Sequence, residues 1–166
     1  MYRNKNDRDG SCADMGASSE KQFSKTLESF GLPNQATGFK DQIRHIDFFV
    51  DVKIRVDVKS RKRLHRGGDK QDEYVWIEFV GNSGKKGWLY GEATHIAFER
   101  QRDFVVVPRY NLANLCEEIV CDEFVSSPAN AHLMRYQRPN KKDQCSLIPM
   151  HTITKSLPCL IIKKHS

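Results

Sequence analysis

Hydrophobic and polar residues alternate along this chain in patterns that predict both helices and strands. Apolar residues at Phe23, Leu27 and Phe30 are spaced by four and three, which indicates a helix from residue 18 or 19 to 30. Short apolar runs separated by turn residues then predict strands. The predicted strands are 45–50, 54–60, 74–80, 88–90, 94–98, 104–107 and 157–162, with a second helix at 110–121.

The mixture of elements predicts an α/β domain in which helices flank a central mixed sheet. A chain of 166 residues with 39% hydrophobic and 29% charged residues is long enough for one globular domain. We expect a flexible N-terminal segment at 1–16 and a single domain at 17–166. Within that domain, the core spans about 18–121, and a less regular basic part spans 125–166.

The composition bears on where in the cell the protein is expected. No apolar run approaches the roughly 20 residues of a membrane span, and residues 1–14 contain no signal-peptide core. The expectation is a cytoplasmic protein, neither secreted nor partnered with a membrane. Five cysteines without a C-x-x-C pair indicate neither a disulfide framework nor a zinc ribbon.

Positive charge is concentrated in two segments. The formal net charge is +6, and residues 53–70 alone contain eight Lys or Arg against two Asp. Such asymmetry favours a polyanionic partner, because Lys and Arg at phosphates release condensed counterions. A solvated loop is the alternative interpretation. The candidate phosphate contacts are Ser60, Arg61, Lys62, Arg63, Arg66, Arg135, Arg138, Lys141 and Lys142.

Acidic residues and one lysine form a candidate site around the second predicted strand. In a strand, side chains at i and i+2 share a face, so Asp57 and Lys59 project together. Asp47 lies on the preceding strand, and Glu20 falls at the edge of the inward stripe of the first helix. A simpler role remains open for Glu20, since an acid in a first helical turn complements the helix dipole.

This order of a helix acid, a strand acid and Asp57-Val58-Lys59 resembles the PD-(D/E)XK nuclease superfamily. The resemblance covers roughly residues 18–121 and is greatest to restriction-endonuclease-like and Holliday-junction-resolvase-like proteins. It implies a restriction-endonuclease-like fold that hydrolyses phosphodiester bonds in DNA, including branched or structured DNA. DNA is the expected partner, and a homodimer is one candidate for the oligomeric state, which the sequence leaves open.

The resemblance also implies roles for the site residues. Asp47, Asp57 and Glu20 would bind Mg²⁺, for which Mn²⁺ would substitute, and Lys59 would orient or polarise the attacking water. Asp51 is a rival second acid, for which a turn position is the ordinary explanation. Glu78 on the next strand is a candidate support for Lys59 or for a metal-bound water.

These residue types suit the chemistry, because attack on a phosphodiester adds negative charge to oxygens that are already anionic. A non-catalytic nucleic-acid-binding module on the same fold is the main alternative, and a subunit that serves assembly is another. A binding module has no physical need for clustered carboxylates that repel phosphate. We interpret His45, His95 and His151 as ordinary strand or surface histidines.

Overall fold

The protein is α/β, with mixed sheets accompanied by helices, as the sequence predicts. The computed structural model describes residues 11–51, 53–64 and 67–164. Its contacts divide the chain into two compact units. The first contains the described residues up to 60 with 92–106 and 160–164, and the second contains 61–91 and 107–159.

The helices and strands alternate along the described chain. The helices are α1 (Ser11–Ser29), α2 (Phe39–Gln42), α3 (Arg109–Ile119) and α4 (Met150–Ser156). The strands are β1 (Asn34–Ala36), β2 (Phe48–Val50), β3 (Ile54–Lys59), β4 (Tyr74–Val80), β5 (His95–Glu99), β6 (Asp103–Pro108), β7 (Cys121–Val125), β8 (Met134–Gln137), β9 (Gln144–Pro149) and β10 (Leu160–Lys163). Among the described residues, no helix is long and apolar enough to cross a membrane.

A six-stranded sheet forms the first unit, in the order β1-β2-β3-β5-β6-β10. β2 and β3 are antiparallel neighbours, with Phe48 opposite Val56 and Val50 opposite Ile54. β3 and β5 run parallel, so the sheet is mixed. This arrangement places β3 in the interior of the sheet, where both of its neighbours fix its position.

Helix α1 covers one face of this sheet because its apolar stripe matches the apolar face of β3. Phe23 and Leu27 are buried in one cluster with Val56 and Val58. The Phe23 ring lies 5.0 Å from the ring of Phe104, edge to face. Since alternate residues of a strand face opposite ways, packing of the valines against the helix turns the residues between them to the other face.

The first helix differs from its predicted bounds at both ends. It begins at Ser11, so the prediction of a flexible segment at 1–16 is wrong for residues 11–16, while 1–10 lie outside the described residues. It ends at Ser29, and Phe30 beyond it is 59% exposed. Gly31 adopts φ of +68°, a left-handed conformation that stops a helix at low cost in glycine.

We expect Phe23→Ala to lower the free energy of unfolding by about 3–5 kcal/mol, because it leaves a cavity in the aromatic cluster under α1. Phe30→Ala is the matched control, and its exposed ring predicts a change within about 0.5 kcal/mol. Urea unfolding followed by circular dichroism measures both. Equal losses in the two variants would contradict the packing described for α1.

The second unit contains a four-stranded sheet in the order β4-β9-β8-β7. β4 and β9 are antiparallel, whereas β7 and β8 are parallel. One prediction made here is wrong, because residues 88–90 form a 3-10 helix instead of a strand. The helix predicted at 110–121 is confirmed as α3, although it ends at Ile119. The last predicted strand, 157–162, is observed as β10 in the sheet of the first unit, where it begins at Leu160 after α4. Short apolar runs look alike in strands and buried turns, so periodicity cannot separate them.

Candidate functional site

The centre of the site is an ion pair on β3. Asp57 is 1% exposed, and its Oδ1 lies 2.5 Å from Nζ of Lys59. The shared face expected from the i and i+2 spacing is therefore observed. The second oxygen of Asp57, Oδ2, is also buried and receives no hydrogen bond. A buried carboxylate oxygen without a donor is costly, and such costs are typical of functional sites.

Asp47 approaches this pair from the residue just before β2. Its backbone N–H donates a hydrogen bond of 2.7 Å to the carbonyl of Val56 on β3. The Oδ2 atom of Asp47 accepts a hydrogen bond of 2.7 Å from the backbone N–H of Val58. The Asp47 charge raises the pKa of the Asp57 carboxyl, so the two carboxyl groups lie close together.

The environment of Asp57 favours its protonated form. Burial raises the pKa of its carboxyl well above the usual value, the Lys59 ammonium lowers it, and the neighbouring Asp47 raises it again. Two carboxyl groups held together in a poorly solvated place cannot easily both be ionised. A proton on Asp57 facing Asp47 would relieve that repulsion, and so would a cation.

Glu20 from α1 borders the same group of charges. Burial and the Asp47 charge raise its pKa to about 7, although the Lys59 ammonium acts in the opposite direction. This placement supports the inward position expected for Glu20 over a simple role at the helix terminus. At neutral pH the site therefore contains two carboxyl groups that hold protons more firmly than exposed ones do.

His45 belongs to the same neighbourhood, which our sequence interpretation missed. Burial and the Lys59 charge lower its pKa to about 4, so the imidazole is neutral at physiological pH, and Asp47 opposes that shift. His45 also has a left-handed backbone, with φ of +58°, in the turn before β2. Such strain in a non-glycine residue is common at functional sites. Its position two residues before Asp47 was the signal available in the sequence.

Asp51 and Glu78 were the other acids considered from the sequence. Asp51 is an exposed residue of the turn after β2, with φ of +44°, which agrees with the turn explanation. Glu78 lies on β4 in the second unit, where Cys145 is its partner across the strands. The burial of Cys145 raises its thiol pKa to about 12, and the Glu78 charge adds to this effect. A supporting role for Glu78 in the site stays a prediction.

Mg²⁺ would have few protein ligands here. Within the described ranges, no three His, Cys, Asp or Glu side chains lie together in a way that could hold a metal. Mg²⁺ nevertheless keeps several waters and is commonly held by one or two carboxylates plus substrate phosphate. Oδ2 of Asp57, which receives no hydrogen bond, and the adjacent carboxyl of Asp47 match that smaller ligand set.

The basic loop after β3 is partly occupied with its own contacts. The Arg61 guanidinium pairs with Asp72, with Nε 2.6 Å from Oδ1. The backbone carbonyl of Lys62 accepts a hydrogen bond from Gln71, and Arg63 is exposed. Ser60 is 9% exposed, which leaves its hydroxyl little access to a phosphate. Arg66 lies outside the described residues.

The second basic cluster contains one error of prediction. Arg135 is 9% exposed, its guanidinium lies 3.6 Å from the centre of the Phe79 ring, and it pairs with Glu117. Its position on an inner strand makes it part of the core, so it does not face DNA. Arg138 pairs with Asp143 but is 41% exposed in its side chain, and Lys141 and Lys142 are exposed.

Comparison of the chain with protein-family models, with curated proteins and with solved structures finds no match. The resemblance to PD-(D/E)XK nucleases therefore rests on the site residues themselves. Their spacing in the sequence and their arrangement around β3 are the basis of any functional proposal.

We expect the pH dependence of stability to reveal the environment of Glu20. Its pKa of about 7 lies above the ordinary value of 4.5, so the folded protein binds more protons than the unfolded chain between those values. Stability from this group is complete below pH 4.5 and is lost as the pH rises through 7. Glu20→Gln should therefore reduce the fall in melting temperature between pH 5 and 7.5.

Glu28→Gln is the control, because Glu28 is an exposed acid on the same helix. The Glu28→Gln variant should show the same pH dependence of the melting temperature as the unchanged protein. A Glu20→Gln profile that parallels the unchanged protein across this range would show that Glu20 is well solvated.

Proposed function

We propose that this protein is a Mg²⁺-dependent DNA endonuclease that hydrolyses phosphodiester bonds, with branched or structured DNA as its substrate. The observation that carries the proposal is the buried Asp57, paired with Lys59 and faced by Asp47. A binding surface gains nothing from carboxyl groups that repel phosphate. A phosphoryl-transfer site needs both the carboxylates and the ammonium.

Each residue has a distinct part in this scheme. Asp47 and Asp57 would hold the metal, which when bound lowers the pKa of its water and neutralises charge on the phosphate. Lys59, fixed at 2.5 Å from Asp57, would orient the attacking water and place a positive charge beside the scissile phosphate. Glu20, with its raised pKa, can hold a proton near the reacting groups or release it when a cation arrives.

The carboxyl groups explain why the site would depend on a cation. Asp57 lacks a donor at Oδ2, and its pKa is raised mainly by burial. A divalent ion would remove the repulsion between Asp47 and Asp57, so binding of the ion and ionisation of the carboxyls support each other. DNA would supply phosphate oxygens, which are ligands that such a cation prefers.

The test is a cleavage assay with purified protein on linear duplex, single-stranded and four-way-junction DNA. Mg²⁺ or Mn²⁺ should support cleavage, EDTA should abolish it, and Ca²⁺ should support binding alone. Binding of DNA without cleavage under all metals would favour the non-catalytic module on this fold. A separate assay for a homodimer is light scattering of the same preparation.

A further inference from the structure

Two basic segments that are far apart in sequence meet in the second unit. Nη2 of Arg138 donates a hydrogen bond of 3.0 Å to Oδ1 of Asn82. The Lys142 side chain packs over Gly84, where an added Cβ would lie 2.9 Å from Cδ of Lys142. Gly84 has φ of +79°, a left-handed conformation that favours glycine in this turn. Lys85 of the same turn is exposed.

A cleft of about 380 Å³ opens beside this cluster, at the ends of β7 and β8. Its lining includes Arg138 and Lys141 as cations and Gln137 as a polar group, and the lining residues include no carboxylate. The nearby Asp143 pairs with Arg138 at 2.9 Å and offsets part of that charge. Lys141 remains exposed, so the cleft has a positive character.

Phe124 lines the cleft and is unusual in being an exposed aromatic side chain. Its side chain is 57% exposed although it is a large hydrophobic group, and it lies on β7, the edge strand of the four-stranded sheet. An exposed aromatic ring beside cations is a recurrent arrangement in proteins that bind single strands. There, bases stack on the ring while phosphates meet Lys and Arg.

We propose that this cleft binds a single-stranded segment of nucleic acid, with an unpaired base on Phe124 and phosphates at Arg138 and Lys141. Duplex bases are already stacked on one another and cannot present a face to Phe124, which favours an unpaired segment. The proposal rests on the nuclease function above for the identity of the polymer, and it assigns the substrate an unpaired stretch. An acidic peptide would satisfy the cations but would leave the exposed ring without a role.

The test is fluorescence anisotropy of a labelled oligothymidylate titrated with the full chain in EDTA, so that cleavage does not interfere. Phe124→Ala should weaken binding by about 5- to 150-fold, the loss expected for one stacked base. Phe124→Trp should preserve or strengthen it. Tyr110→Ala is the matched control, because Tyr110 is an exposed aromatic residue of the same unit, 68% exposed and outside the cleft.

Salt dependence tests the phosphate contacts separately. Lys141→Gln should reduce the slope of log affinity against log salt by about 0.7, the value for one phosphate contact on a single strand. Lys155→Gln on α4 is the matched control and should leave the slope unchanged. Circular dichroism melting of each variant confirms that it is folded.

Unchanged affinity in Phe124→Ala, or an equal loss in Tyr110→Ala, would overturn the proposal. Polyglutamate that displaces the oligonucleotide as well as unlabelled oligothymidylate does would also overturn it, since the cleft would then recognise charge alone. Binding that depends on Phe124 in a protein without nuclease activity would support the cleft and reject the proposed function. DNA cleavage together with nucleic-acid binding that does not depend on Phe124 would support the proposed function and reject the cleft as a binding site.

Discussion

Asp57→Asn is expected to reduce DNA cleavage by at least about 100- to 1000-fold, the range seen when a single electrostatic stabiliser is removed from an active site. Asparagine keeps the shape of the side chain but loses the charge that would bind the metal and hold Lys59 at 2.5 Å. DNA binding in EDTA should persist and tighten slightly, because one charge that repels phosphate has gone. Initial cleavage rates on the best substrate measure the effect.

Asp51→Asn is the matched control for this loss. Asp51 is an acid of the adjoining turn and was the rival candidate from the sequence, but it is exposed. Its variant should cleave at close to the rate of the unchanged protein. Full activity in Asp57→Asn would mean that the hydrolysis arises elsewhere or from a contaminant, whereas loss in Asp51→Asn would transfer the metal-binding role to the turn.

Lys59→Met should lower the free energy of unfolding at pH 8 by up to about 3–5 kcal/mol. The Asp57 carboxyl is 2% exposed in its side chain and would be left buried without its cation. Removal of both charges in Asp57→Asn/Lys59→Met should recover most of this loss, because the penalty belongs to the uncompensated charge and not to the pair. Urea unfolding of the three variants forms a double-mutant cycle.

The pH dependence of this loss has a defined sign. Burial raises the pKa of Asp57 and Lys59 lowers it, so the lysine variant should hold a proton on Asp57 to higher pH. Lowering the pH from 8 to 5 favours the neutral form of that carboxyl, so the destabilisation should shrink. A loss that is the same at pH 5 and pH 8 would attribute it to packing of the lysine stem instead of to the charge on Asp57.

Local periodicity accounts for the parts of the site that the sequence predicted. The i and i+2 relation of Asp57 and Lys59 depends only on the pleat of one strand, and it places both side chains on the face where their 2.5 Å contact is observed. The apolar spacing of Phe23 and Leu27 likewise predicted the buried side of α1. Phe30 did not continue that side, because the helix ended before it.

Contacts between segments that are distant in the chain could not be predicted from the local hydrophobic pattern. His45 looked like an ordinary strand residue until its left-handed turn brought it to the charges of Asp47 and Lys59. Arg135 looked like a surface cation, but an inner strand carries it onto the ring of Phe79. For Arg135 the neighbouring sequence gives no signal, and for His45 the only signal is its nearness to Asp47 in the chain, because both outcomes depend on which elements pack together.

The sequence by itself determined the α/β character of this protein and the common face of Asp57 and Lys59, since helix and strand periods act within a few residues. Only the tertiary structure decided that Asp47 lies close to Asp57 and that the turn with Gly84 meets Lys142. Strand register and loop contact are set by burial of apolar surface across the whole unit. The local sequence pattern therefore indicates candidate site residues, and long-range packing determines which of them lie in one site.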